Sequence, residues 1–140
     1  MSPAFATATA ITFVWLGMVL AISFLEAPLK FRAPGVTVPL GLGIGRLVFR
    51  ALNAVEAVLA LALAVSLVVG DPGAAVWPAV AAVAVLLVQV LAVRPGLSRR
   101  SDAVLAGEDV PRSHAHYGYV GLEVVKVAGL VTAGVLLLGG

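Results

Sequence analysis

The chain of 140 residues carries few charges, nine Lys or Arg and seven Asp or Glu, against 61% hydrophobic side chains. Soluble domains carry about 25% charged residues. The 11% charged fraction and the mean hydropathy of +1.12 therefore exclude both an ordinary soluble domain and a disordered chain. A net charge of +2 does not indicate a nucleic-acid-binding protein. The absence of cysteine excludes disulfides and thiolate metal sites, and we predict an integral membrane protein.

Four apolar segments predict four membrane-spanning helices, since a span needs about 20 mostly apolar residues. The predicted helices cover about residues 4–26, 45–69, 75–93 and 113–138. The first segment lacks the basic start and the cleavage site of a signal peptide, so we interpret it as a spanning helix. Prolines and glycines predict a loop or re-entrant segment over residues 27–45, and residues 94–112 read as a charged, helix-breaking loop. The expected fold is a single-domain, all-α, up-down-up-down bundle of four transmembrane helices.

Basic residues lie on one side of this predicted topology. They cluster in the first and third connections as Lys30, Arg32, Arg46 and Arg50, then Arg94, Arg99, Arg100 and Arg112. The positive-inside rule predicts that both long loops are cytoplasmic and that both termini lie outside the inner (plasma) membrane. Small residues along the helices allow close packing within the bundle. Four thin helices also leave much surface open, so we expect the lipid bilayer and a homo-oligomer or a larger membrane complex as partners.

Polar side chains form a stripe on two of the predicted helices. A spacing of three or four residues puts each set on one helix face. Ionisable residues at membrane depth are costly and usually functional. The candidate ligand-binding residues are therefore Arg46, Arg50, Asn53 and Glu56 on the second helix, and His116, Tyr119, Glu123 and Lys126 on the fourth. The third helix adds Gln89.

Two interpretations of these stripes remain open. We predict that Glu56 pairs with Lys126, and that Arg50 and Asn53 face Glu123. The stripes are either structural ion pairs between two helices or the lining of a cytoplasm-facing cavity for an anionic or amphipathic ligand. No catalytic residue is predicted. No metal site is predicted either, because His114 and His116 are two residues apart and point to different sides of a helix.

Several short motifs resemble a known membrane family. The motifs are WLGMVLAISFLEAPLKF at 15–31, GRLVFRALN at 45–53, VLAVRPGLSRR at 90–100 and His-Tyr-Gly at 116–118. They resemble the small four-helix membrane family of unknown function that includes transmembrane protein 205. The resemblance implies a four-helix membrane architecture, and it brings no activity and no cofactor with it.

A second motif, RALNAVE at residues 50–56, is similar to a pattern of the membrane-associated eicosanoid and glutathione metabolism family, with one residue fewer before Asn53. This resemblance implies glutathione as cofactor, with Arg50, Asn53 and Glu56 as its ligands. We expect a non-enzymatic bundle without cofactor that is transporter-like or lipid-handling, or that is an accessory subunit of a larger membrane complex. The alternative is a glutathione-dependent membrane transferase that acts on lipophilic substrates.

Overall fold

Four long helices make up the part of the chain that the computed structural model describes, which comprises residues 2–71, 73–108 and 114–139, with the side chains of 114 and 115 excepted. The helices are α1 (Pro3–Arg32), α2 (Val38–Val69), α3 (Gly73–Leu105) and α4 (His114–Gly139). These residues contain no strand. Each helix is long and apolar enough to cross a membrane, so the predicted all-α class is confirmed.

Helices α1 and α3 continue past prolines where the sequence predicted their ends. They were expected to end at about residues 26 and 93, but they reach Arg32 and Leu105. Each helix widens to a π-helix just before a proline, over Leu20–Glu26 and over Gln89–Val93. A proline lacks an N–H and clashes with the carbonyl four residues earlier. The wider turn relieves this clash, so the interpretation of residues 94–105 as loop is wrong.

Helix α2 begins at Val38 rather than at residue 45. Thr37 caps it, because its side-chain oxygen accepts a hydrogen bond from the backbone N–H of Leu40 at 3.2 Å. Pro39 lies in the first turn, where the helix does not need its N–H. The predicted loop over 27–45 is therefore wrong for most of its length. The connection is residues 33–37, where Gly35 has φ of 83°.

The helices pack so that one half of the structure is apolar and the other half is polar. Helix α1 packs on α2 and α4, and α3 packs on α4. In the apolar half, residues such as Val19, Leu63, Leu86 and Leu130 form one buried cluster. The polar residues of all four helices meet in the other half, which positions the candidate site described below.

Unlike a soluble protein, the structure exposes large apolar side chains and buries charged ones beside its apolar cluster. On the surface, Leu61, Val68 and Leu91 are 69%, 85% and 73% exposed. In the interior, Glu56 and Lys126 are 0% exposed. Buried charges are rare in soluble proteins and large exposed apolar surfaces mark contact with a partner or a membrane, so this distribution is typical of a helix bundle in lipid.

Candidate functional site

The ammonium group of Lys126 lies at the centre of the buried polar residues. Its Nζ donates to Glu56 Oε2 at 2.5 Å and to Gln89 Oε1 at 2.8 Å, and it lies 2.6 Å from Glu123 Oε1 of the same helix as an ion pair. One ammonium therefore contacts side chains of three helices. The predicted Glu56–Lys126 pair is confirmed, and it joins α2 to α4.

The carboxylate of Glu56 accepts hydrogen bonds from three helices. Trp15 Nε1 of α1 donates to Oε2 at 2.7 Å, and Asn53 Nδ2 of α2 itself donates to Oε1 at 3.1 Å. Lys126 of α4 supplies the third donor. The indole N–H of Trp15 thus bonds to a buried charge. These contacts make Glu56 a fixed structural acceptor.

The carboxylate of Glu123 has different partners from those predicted. Its Oε1 accepts from Gln89 Nε2 at 3.2 Å, and its Oε2 bonds to Ser23 Oγ at 2.6 Å. Arg50 and Asn53, which were expected to face Glu123, line the same cavity as Glu123, and no hydrogen bond or ion pair joins either of them to it among the described residues. Its partners Ser23 and Gln89 lie in the π-helical segments of α1 and α3.

A cavity of about 680 Å³ opens beside this cluster and has residues of all four helices in its walls. This volume lies within the range of about 300–1,000 Å³ that is usual for ligand pockets. Apolar side chains such as Phe24, Phe31 and Phe49 form much of the wall. The charged side chains that line the cavity are Lys30, Arg46, Arg50, Arg94, Arg100 and Glu123. The cavity is therefore cationic and partly aromatic.

Two of these cations are already paired with carboxylates. Lys30 Nζ lies 3.8 Å from Glu26 Oε2 on the same helix. Arg46 of α2 pairs with Asp102 of α3 through its Nη1. Both pairs lie at the end of the bundle where the first and third connections, which are rich in basic residues, join the helices. They reduce the positive charge that Lys30 and Arg46 offer to a ligand.

Arg50 and Arg94 line the cavity without a salt bridge to any carboxylate of the described residues. The guanidinium of Arg94 lies 4.7 Å from the ring centroid of Tyr119 and 5.2 Å from that of Phe49. Its Nη2 donates to Asn53 Oδ1 at 3.0 Å. Arg50 is exposed to the cavity. Guanidinium groups bind carboxylates and phosphates in a fixed geometry, so this pair is suited to an anion.

The structure divides the eight sequence-predicted site residues into two groups. Glu56 and Lys126 are buried in the cluster, outside the cavity wall. The other six line the cavity, namely Arg46, Arg50, Asn53, His116, Tyr119 and Glu123. Sequence reasoning missed Ser23 and Arg94. Pro95 made Arg94 look like a loop residue, and nothing distinguished Ser23 from other small polar residues in an apolar helix.

No protein-family model, curated protein or solved structure matches the chain. Among the described residues, no three His, Asp or Glu side chains lie close enough together to hold a metal ion. The side chain of His114 lies outside the described residues, and His116 packs edge-on against Tyr117.

Proposed function

We propose that the chain is a membrane-embedded, up-down-up-down four-helix bundle that binds an anionic amphiphile, a lipid with a negative head group, without catalysing a reaction. The observation that carries this proposal is the pair of guanidinium groups, Arg50 and Arg94, in a cavity with aromatic walls. A head group is held by the cations, and the apolar part contacts the aromatic rings. This function corresponds to the lipid-handling role, one of the roles expected from the sequence.

The contacts between helices support the alternating arrangement. Along α1, Phe13 lies beside Gly134 and Ser23 bonds to Glu123, so the directions of α1 and α4 are opposite. The same reversal relates α1 to α2 and α3 to α4. Apolar outer faces on all four helices support insertion in lipid.

The charge distribution supports an orientation in which the cavity opens to the cytoplasm. Because the chain has no cysteine, single cysteines report accessibility without background. We expect a membrane-impermeant thiol reagent to label Ala74→Cys on intact cells and Ala106→Cys only after permeabilisation. Both positions are exposed, and the opposite labelling pattern would contradict the orientation.

An apolar groove between α2 and α3 offers a place for an acyl chain. It has a volume of about 240 Å³ and is lined by residues such as Leu63, Leu67 and Leu87. Leu87 is three residues from Val90 of the cavity wall, which corresponds to about 5 Å along the helix. When the head group lies in the cationic cavity, the acyl chain of the lipid is therefore close to a groove without polar lining. We propose that the acyl chain binds in this groove.

The proposal is tested by comparing dioctanoyl phosphatidylglycerol, which is anionic, with dioctanoyl phosphatidylcholine, which is zwitterionic. A ligand that binds the native state stabilises it, so the anionic lipid should raise the melting temperature of the detergent-solubilised protein. Arg50→Gln should abolish most of this shift. Arg50 bonds to no described residue, so this change should leave the fold intact. Arg99→Gln is the matched control, because Arg99 is exposed and does not line the cavity.

Equal stabilisation by both lipids, or a shift that survives Arg50→Gln, would contradict the proposal. Glutathione at millimolar concentration tests the alternative function, a glutathione-dependent membrane transferase. Stabilisation by glutathione but not by phosphatidylglycerol would favour that transferase. The role of an accessory subunit, which the sequence also leaves open, requires stoichiometric partners after purification in mild detergent. A homo-oligomer alone would contradict that role.

A further inference from the structure

The buried cluster around Lys126 contains one carboxylate more than it has ammonium groups. Glu56 and Glu123 oppose a single lysine, and all three side chains are at most 2% exposed. An excess charge in an apolar interior is costly unless another group compensates it. Arg94 is joined to the cluster through Asn53, which accepts from Arg94 Nη2 at 3.0 Å and donates to Glu56 Oε1 at 3.1 Å. A second cation, Arg94, is thus linked to the cluster from the cavity wall.

The hydrogen-bond partners distinguish the two carboxylates. Glu56 bonds only to N–H donors, those of Trp15, Asn53 and Lys126, so a proton on this carboxylate would find no acceptor among its partners. Glu123 Oε2 instead bonds to the hydroxyl of Ser23, and a hydroxyl can either donate or accept. A proton on Oε2 therefore keeps this hydrogen bond with its direction reversed. Glu123 also lines the cavity, whereas Glu56 does not.

Other charged and titratable side chains surround Glu123 on every helix. They are the Lys30–Glu26 pair of α1, Arg46 and Arg50 of α2, Arg94 and Arg100 of α3, and His116 and Tyr119 of α4. Histidine ordinarily changes its charge near neutral pH. His116 is therefore the competing proton site that an experiment has to separate from Glu123.

We propose that an anion bound to Arg94 neutralises the positive charge of this residue, so that the charge no longer compensates the excess carboxylate of the cluster. Glu123 then binds one proton at Oε2. Anion and proton are taken up together, so the net charge of the site does not change when the anion carries one negative charge. This inference rests on the anion binding proposed above. It adds that the dissociation constant rises with pH, by up to about tenfold per pH unit for one linked proton.

Calorimetric titration with dioctanoyl phosphatidylglycerol tests this coupling. The titration is run at one pH in two buffers with different heats of ionisation, and the difference in heat gives the number of protons bound per lipid. The phosphodiester of the lipid keeps its charge, so the protein must bind any proton that is taken up. We expect close to one proton for the wild-type protein and for His116→Gln, and close to none for Glu123→Gln.

The outcomes separate this inference from the proposed function. Lipid binding without proton uptake overturns the inference and leaves the proposed function standing. Loss of the proton in His116→Gln overturns it in favour of His116. If the folded wild-type protein binds no phosphatidylglycerol, both proposals fail. If Glu123→Gln does not fold, Ser23→Ala replaces it: the pH profile of lipid binding should shift, and an unchanged profile would overturn the role of Glu123.

Discussion

Replacement of Lys126 by methionine tests whether the buried cluster holds α2, α3 and α4 together. The change removes two hydrogen bonds to other helices and leaves Glu56 and Glu123 buried without their common cation. Interhelical hydrogen bonds in membrane proteins contribute about 0.6 kcal/mol each, so these two account for about 1 kcal/mol. Removal of one partner from a buried ion pair costs about 3–5 kcal/mol. We expect the free energy of unfolding to fall by about 3–5 kcal/mol.

Unfolding in mixed micelles with increasing dodecyl sulfate, followed by circular dichroism, measures this change. The matched control is Thr132→Val on the exposed face of α4, where the hydroxyl bonds only to the carbonyl of Ala128. That control should stay within about 0.5 kcal/mol of the wild-type protein. The double variant Glu56→Gln with Lys126→Met should lose less free energy of unfolding than the two single variants lose in sum, by about 0.5–3 kcal/mol.

Two results would contradict the stabilising role of the buried cluster. The first is a Lys126→Met variant that loses no more stability than Thr132→Val. The second is a double variant whose loss equals the sum of the Glu56→Gln and Lys126→Met losses, because independent sites add and paired sites do not. Either result would mean that the ion pair does not stabilise the contact between α2 and α4.

Three smaller predictions use the same unfolding assay. Trp15→Phe removes the N–H donor to Glu56 and should cost about 1.5–3 kcal/mol, as for other hydrogen bonds to charged groups; an unchanged stability would contradict this role. Asp102→Asn breaks the exposed pair with Arg46 and should cost less than about 1 kcal/mol, and still less at high salt; a large, salt-independent loss would be inconsistent with a surface pair. Gly107→Ala should cost about 1–2 kcal/mol, because Gly107 has φ of 92°, and a stabilised variant would contradict that conformation.

The spacing of polar residues was enough to predict the centre of the site. Glu56 and Lys126 lie on stripes that repeat every three or four residues, and each charge needs an opposite partner in an apolar interior. Their pairing follows from these two facts. The four helices could also be predicted from local sequence, because the composition of about 20 consecutive residues decides whether a span forms.

The ends of the helices and the rest of the site could not be read in this way. Pro28 and Pro95 are local signals for a break, but π-helical turns before them let α1 and α3 continue. These turns carry Ser23 and Gln89, whose bonds to Glu123 join residues far apart in the chain. A local pattern does not contain such contacts. The start of α2 was readable, however, because Thr37 followed by a proline in the first turn is a known cap.

An experimental structure of the protein with phosphatidylglycerol that carries brominated acyl chains would show where the lipid binds. We predict a phosphate with oxygens about 2.7–2.9 Å from guanidinium nitrogens of Arg50 and Arg94, the usual length of a charge-assisted hydrogen bond. We also predict bromine scattering in the groove beside Leu63 and Leu87. A lipid bound only on the outer faces of the helices, with no head group at Arg50 and Arg94, would contradict lipid binding in the cavity.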